Sequence, residues 1–289
     1  MAELTFIKDY RNQSEMRESF IQLAQQVFGI DFTSWHEHGY WTEKYIPYSY
    51  SDGEKIIANV SVNLINLVVR GKTKRAIQIG TVMTHPEYRG RGLSRKLMEI
   101  VLKDFEGAYD IMYLFANRTV LDFYPKFGFH VVEETQYTTK YASSKPGRTR
   151  KLSPEDDLSF IYEFAKNRVP VSMTLGTVNT EELLMFYCLA AFPDDIYYLE
   201  DEEAIVIYQT TPENEVHIFE IVSQKKMDLH RILDAICTKQ TRDVIFHFTV
   251  DQQEGMEKQK FHGSEVMFVR MENEMELPTE FKHPITSQA

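Results

Sequence analysis

The chain has 289 residues, 43% of them apolar and 26% charged, with a formal net charge of −11. This is ordinary globular composition at a length that suits about two domains. Two cysteines, Cys188 and Cys237, exclude a disulfide-stapled scaffold and suit a reduced, cytoplasmic compartment.

The charge is uneven. Residues 1–140 hold 17 Lys and Arg against 17 Asp and Glu, whereas residues 141–289 hold 15 against 26, so the whole excess lies in the second half. That excess favours solubility. Read more sharply, it is an acidic wall beside a site that attracts a cationic amine. No sustained basic patch marks a nucleic-acid binder. The opening Met-Ala-Glu-Leu-Thr-Phe lacks the basic-then-apolar pattern of a signal peptide. The most apolar stretch, Ile56 to Val69, is interrupted by Asn59, Ser61, Asn63 and Asn66, which argues against a membrane span.

In chain order, Leu4 to Lys8 reads as a short strand. Gln13 to Phe28 has helical spacing and stops at Gly29. Phe32 to Tyr50 is rich in aromatics: Phe32, Trp35, Tyr40, Trp41, Tyr45, Tyr48 and Tyr50. These either flank a ligand, with a cation on their faces, or pack the rim of the core. His36-Glu37-His38 has the wrong spacing for two ligands on one helical face, so no metal is expected. Lys55 to Val62, Leu64 to Arg70 and Arg75 to Thr84 read as strands, with a turn at Gly71-Lys72. Leu93 to Phe105 reads as a helix whose Leu93, Leu97, Val101 and Phe105 pack on the sheet. Ile111 to Phe115, Val131 to Glu133 and Gln136 to Tyr141 follow as strands. The order suits a mixed, twisted α/β (α+β) sheet flanked by helices.

Residues 143–148 resemble a linker. Beyond it, Pro154 to Asn167, Thr180 to Ala191 (capped by Thr180) and Asp228 to Cys237 read as helices. Ala204 to Gln209, Val216 to Val222, Val244 to Thr249 and Glu265 to Met271 read as strands. The Val216 strand, the helix at Leu229 and the Asp243–Phe248 strand echo the Ile77 strand, the helix at Leu93 and the Asp110–Phe115 strand. The second half therefore reads as a worn repeat of the first. The predicted domains are 1–142 and 149–289.

The most informative stretch follows the Arg75 strand: His85-Pro86-Glu87-Tyr88-Arg89-Gly90-Arg91-Gly92-Leu93-Ser94-Arg95. A strand, a Gly-rich basic turn and a helix aim main-chain N–H groups and the positive end of a helix dipole at one spot. Gly90 and Gly92 permit the tight backbone, and Arg89, Arg91 and Arg95 add permanent charge suited to phosphate. A Walker loop is absent, and Arg95 stands where a dinucleotide fingerprint needs its third Gly. The pattern that fits is Arg-x-x-Gly-x-Ser. About 30 residues after Arg89 comes Asn117-Arg118-Thr119-Val120-Leu121-Asp122-Phe123-Tyr124-Pro125-Lys126-Phe127-Gly128-Phe129.

With these two segments in order, roughly residues 5 to 140 resemble the GNAT family of acyl-CoA-dependent N-acyltransferases. The second segment resembles that family's helix after its fifth strand. The second half, which has Ser223-Gln224-Lys225-Lys226 in place of the loop, then reads as a second, GNAT-like α/β domain lacking the phosphate cradle.

The resemblance implies transfer of an acetyl group from acetyl-CoA to a primary amine of a small molecule or peptide, by direct attack in a ternary complex. Gly90, Arg91, Gly92, Leu93, Ser94 and Arg95, with Arg89, would hold the CoA pyrophosphate. Val82, Met83 and Thr84 would offer main-chain hydrogen bonds to the pantetheine arm, and Asn117 would contact CoA. Tyr124 would act as general acid toward the departing thiolate. Its alternative is a core tyrosine beside Phe123, Phe127 and Phe129, and Pro125 is expected to kink its helix. Glu37, Glu43, His38 and His85 remain open as general base. The second half would complete the acceptor cleft or an interface in a homo-oligomer. The competing expectation is a non-catalytic acyl-CoA-binding regulator.

Overall fold

The computed structural model describes residues 4–144, 147–272 and 275–289. Two linker positions, Lys145 and Pro146, lie outside the described residues.

The chain begins with β1 (Thr5–Lys8), α1 (Ser14–Phe28), α2 (Thr33–Glu37), β2 (Tyr45–Asp52), β3 (Lys55–Val69) and β4 (Lys72–Thr84). Helix α1 ends where Gly29, at φ 73°, donates its N–H to the Gln25 carbonyl. The strand β2 has no counterpart in the sequence reading. The two strands expected over 55–70 are one. Its hairpin to β4 turns at Arg70 and Gly71, both at positive φ, the geometry that a two-residue hairpin needs. Next come α3 (Leu93–Asp104), β5 (Ile111–Asn117), β6 (His130–Val131) and β7 (Thr135–Lys140). The helix expected over 117–129 is reduced to a single 3-10 turn at Tyr124–Phe127. Pro125 has no N–H to continue a ladder, and Gly128 at φ 79° ends the turn.

The second half continues with β8 (Thr149–Lys151), α4 (Pro154–Lys166), β9 (Leu175–Val178), α5 (Glu181–Ala190), β10 (Ile196–Leu199) and β11 (Ala204–Thr210). It closes with β12 (Glu215–Ser223), α6 (Leu229–Ile236), β13 (Asp243–Phe246), β14 (Glu257–Lys260) and β15 (Glu265–Met271). Thr180 precedes α5, but its hydroxyl makes no cap; it meets Thr177 and Ser287 instead.

These strands form two mixed sheets. The first runs β1-β2-β3-β4-β5-β15-β6, with β9 pairing on β3 beyond the end of β2; the second runs β14-β7-β13-β12-β11-β10-β8. The repeat seen in the sequence is topological. Strands β4 and β5 are parallel around α3, and β12 and β13 are parallel around α6. The sheets do not divide along the chain at the linker. Strand β7, before it, pairs with β13 of the second sheet, while β15, far beyond it, pairs with β5 of the first. Each half lends its late strand to the other.

Alternate residues of β5 face opposite layers. Met112, Leu114 and Ala116 pack with α3 through Leu97, Met98 and Val101. Tyr113 faces the second half and packs with Leu175, Leu183 and Phe281. The functional site lies on this second face.

Candidate functional site

Strands β4 and β5 pair only from Ala76–Ile79 against Ile111–Leu114 and then diverge. The cause is a bulge in β4. Residues Thr81 and Val82 oppose the single residue Val60, and Thr81 sits at φ 48°. A threonine seldom adopts that conformation unless its surroundings impose it. Here the Tyr45 hydroxyl meets Thr81 Oγ1 at 2.7 Å, and Asn59 Nδ2 donates to the Thr81 carbonyl at 2.9 Å. A buried chain of hydroxyls holds Asn59 in turn: Tyr10 to Ser49 at 2.6 Å, Ser49 to Asn59 at 2.8 Å and Asn59 to Ser61 at 2.8 Å. Two of the polar breaks in the apolar stretch, Asn59 and Ser61, thus belong to the clamp on the bulge. Beyond Ile79 the edge of β4 that faces β5 has no strand partner. Alternate main-chain groups of Gly80 to Thr84 face the gap.

At the end of β4, a 3-10 turn over Pro86–Tyr88 leads into α3. Gly90 and Gly92 lie at φ 77° and 74°, so the turn depends on glycine at both positions. Gly92 precedes the helix and no side chain caps it, which leaves first-turn N–H groups open to a ligand. Thr84 Oγ1 and Ser94 Oγ lie 2.8 Å apart and tie the strand end to the helix start. Ser94 is accommodated in that place. Arg91 lies over the Tyr88 ring and donates to the Glu87 carbonyl, and Tyr88 donates to Asp52 at 2.6 Å. Arg89, Arg91 and Arg95 are exposed. Leu93 is buried in the core, so only its main chain faces the turn.

The diverging strands open into a cleft of about 640 Å³. Of the residues singled out in the sequence, Val82, Met83, Thr84, Arg89, Asn117 and Tyr124 line it. Gly90 to Arg95, at the start of α3, do not line it. Asn117 Oδ1 accepts from the Thr119 N–H and hydroxyl, both at 3.0 Å, which leaves its NH2 for a ligand. Tyr124 is 5% exposed, and its ring packs on Phe268 and Phe123. Burial, with the Glu265 carboxylate as a smaller cause, pushes the Tyr124 phenol well above its ordinary pKa, so it stays protonated.

The sequence of residues 10–132 matches the model of the acetyltransferase (GNAT) domain. Residues 10–132 are a GNAT domain. No curated protein matches the chain. Solved structures match over nearly its whole length. A conserved protein of Enterococcus faecalis V583, described as a probable N-acyltransferase, is 18% identical with a TM-score of 0.66 over 94% of this chain and 73% of its own. A GCN5-related N-acetyltransferase from Kribbella flavida is 15% identical, with a TM-score of 0.55 over 93% and 72%. One from Anabaena variabilis is 13% identical, with a TM-score of 0.57 over 93% and 73%. At these identities the likeness is one of fold, and it extends across both halves.

The GNAT domain does not close its cleft alone. Leu183, Phe186 and Tyr187 of α5 form the opposite wall, and Gln288 and Ala289 reach in from the end of the chain. A Cβ placed on Gly80 would lie 2.8 Å from the Ala289 main-chain oxygen. The last segment is well anchored. Lys282 donates to Glu134 at 2.9 Å, His283 Nε2 lies 2.9 Å from the Tyr113 hydroxyl, and Thr286 donates to buried Glu220.

The second half repeats the geometry of the GNAT domain without its openings. Asp228 caps α6 by accepting the His230 N–H at 3.0 Å, a carboxylate where the GNAT domain has bare N–H groups. Past Ile218 and Phe246 the parallel pairing of β12 and β13 stops, and the chain's own end lies there. The Ile285 N–H donates to the His247 carbonyl at 3.1 Å. The start of α6 is capped and the slot between β12 and β13 is filled.

The aromatics of residues 32–50 are mainly core: Phe32, Trp35, Tyr40, Trp41, Tyr45 and Tyr48 are buried, although Phe32, Trp35 and Tyr45 also line the cleft. None of Glu37, Glu43, His38 and His85 lines it. His85 instead lies 3.2 Å from Lys55 Nζ, and His38 packs on Tyr40. The carboxylate that the sequence did not single out is Glu265, on the borrowed strand β15. Of the acidic residues in the second half, it alone among the described residues lines the cleft, so their excess does not form an acidic wall there. Among the described residues no three His, Cys, Asp or Glu side chains cluster as a metal site. No helix among them is long and apolar enough to cross a membrane.

Proposed function

We propose that the chain transfers an acetyl group from acetyl-CoA to a primary amine in a ternary complex. The observation that carries this reading is the juxtaposition of an uncapped α3 start, an unpaired β4 edge and a protonated phenol around one cleft. The pyrophosphate lies on the N–H groups of Gly90 to Arg95, with Arg89 and Arg91 neutralising its charge. The pantetheine arm runs along Val82, Met83 and Thr84 as a substitute strand, with Asn117 opposite. The thioester then sits near Tyr124, which gives its proton to the CoA sulfur as the C–S bond breaks. A non-catalytic acyl-CoA-binding regulator would need no second compartment. The cleft's volume supports an enzyme, because it holds more than a pantetheine arm. Cys188 and Cys237, both buried free thiols, fit a cytoplasmic setting.

The test is calorimetric titration with acetyl-CoA, followed by thiol release over a panel of amines. The expected result is one site per chain, lost in Arg91→Glu, and turnover that falls about a hundredfold in Tyr124→Phe with acetyl-CoA affinity retained. Two sites per chain, or no binding, would refute the proposal.

A further inference from the structure

The cleft is chemically lopsided. Its charged side chains are Arg89, beside the phosphate cradle, and Glu265. Most of the remaining side-chain wall is apolar or aromatic: Ile30, Phe32, Trp35, Phe115, Phe186 and Tyr187. At the mouth, Phe28 on α1 and Val120 after β5 are 47% and 42% exposed, large apolar groups left in water on two sides of the opening. An exposed apolar rim that continues into an apolar cleft marks a place where an apolar ligand enters.

Glu265 is placed by the strand exchange. It is the cross-strand partner of Asn117, and cross-strand partners present their side chains on one face of a sheet. Two residues inward on each strand, Phe115 pairs with Met267 on that same face. Glu265 therefore stands on the cleft side of the first sheet, at its solvent-reached end. Among the described residues, neither a hydrogen bond nor an ion pair engages its carboxylate. The groups around it are Tyr124 and Tyr187 across the cleft, with Glu134 and Lys282 behind it. Burial and the Glu134 charge raise its pKa, which Lys282 only partly offsets. A raised carboxylate pKa makes a better proton acceptor.

From this geometry we propose that the acceptor is a monoamine on an apolar body, an arylalkyl or alkyl amine, with its ammonium seated on Glu265. A polyamine or an aminoglycoside would bring several cations into a cleft whose side chains supply one carboxylate, and would set the others against aromatic rings. Glu265 takes one proton from R–NH3+, and the freed amine attacks the thioester carbon, forming the C–N bond. As the C–S bond breaks, Tyr124 gives its proton to the sulfur. The proton that the nitrogen sheds on becoming an amide returns to the Tyr124 oxygen, and Glu265 releases its proton to solvent. This assignment rests on the acyltransferase reading for its chemistry, but not for its binding site.

The test separates the two. The free protein is titrated calorimetrically with 2-phenylethylamine and with spermidine, as wild type and as Glu265→Gln. The expected result is that 2-phenylethylamine binds about tenfold or more tightly than spermidine, and that Glu265→Gln weakens it by a similar factor. Acetyl-CoA affinity should be retained in Glu265→Gln, which shows that the variant is folded. Spermidine binding as tightly as 2-phenylethylamine, or Glu265→Gln binding it like the wild type, overturns the proposal whether or not the protein turns over. In turnover, Glu265→Gln should also remove the acidic limb of the kcat/KM profile; a limb that stays in place assigns the proton transfer to another group. Loss of acetyl-CoA binding in the wild type with amine binding intact would refute the acyltransferase reading alone.

Discussion

Arg168 and Glu220 form an ion pair almost without solvent. Their side chains are 2% and 0% exposed, and Arg168 Nη1 lies 3.2 Å from Glu220 Oε2. Replacing Arg168 with Met removes the cation and keeps much of the volume. Glu220 then retains only the Ile221 N–H, at 3.0 Å, and the Thr286 hydroxyl. Removing one partner of a buried pair costs about 3–5 kcal/mol, because the surviving charge is uncompensated. Against a usual total of about 5–15 kcal/mol, that is a large share. Urea unfolding should show a lower midpoint with an unchanged slope. Adding Glu220→Gln to Arg168→Met should recover at least half of the loss, since a neutral amide still accepts from Thr286. The pair also anchors the end of the chain, because Arg168 reaches Thr177 at 3.3 Å and Thr177 meets Ser287 at 2.8 Å. The single variant should therefore also raise KM for the acceptor. A loss under about 1 kcal/mol, or a double variant no more stable than the single, would refute this account.

Gly80→Val drives a side chain into the Ala289 main chain and should cost about 1–3 kcal/mol by thermal denaturation; deleting residues 288 and 289 should restore most of it. His247 and His283 are pushed down to about 3 by burial, with neighbouring His217 and Lys282 charges helping at His247 and Lys282 at His283. A depressed folded value means stability is full above about 6.5 and is lost as pH falls toward 3, at about 1.4 kcal/mol per pH unit for each group. Unfolding free energies that stay flat from pH 6.5 to 5 would contradict this. A fragment of residues 1–142 lacks β15 and keeps an unpaired β5 edge, so size-exclusion chromatography should find it aggregated. A monodisperse fragment that binds acetyl-CoA would show that the exchange is dispensable.

Local chemistry was legible and pairing was not. The turn from Arg89 to Ser94 declares itself because glycine, charge and helix spacing act within a few residues. The structure places an uncapped α3 start directly after that turn and Tyr124 in the cleft. The flattened helix before Phe129 was half legible, since Pro125 forbids its continuation. The exchange of β7 and β15 was not, because an alternating strand carries no label for its partner. Glu265 stayed hidden for the same reason. Its role depends on lying opposite Asn117, about 150 residues earlier. Thr180 looked like a cap, but tertiary contacts with Thr177 and Ser287 claimed its hydroxyl.

The exchange of strands also sets a clock on synthesis. When Ile111–Asn117 leaves the ribosome, its pairing edge is an apolar template with no partner yet made. That partner, β15, follows roughly 150 residues later, a wait of about 8 to 30 seconds at bacterial and eukaryotic elongation rates. Until then the cleft lacks its acidic residue, Glu265, although its far wall on α5 has already been made. The first half can fold only as far as a nascent sheet with one open side, and a chaperone that shields such edges would act on that intermediate. Completion of the sheet and assembly of the site are one late event, fixed by the arrival of residues 265–289.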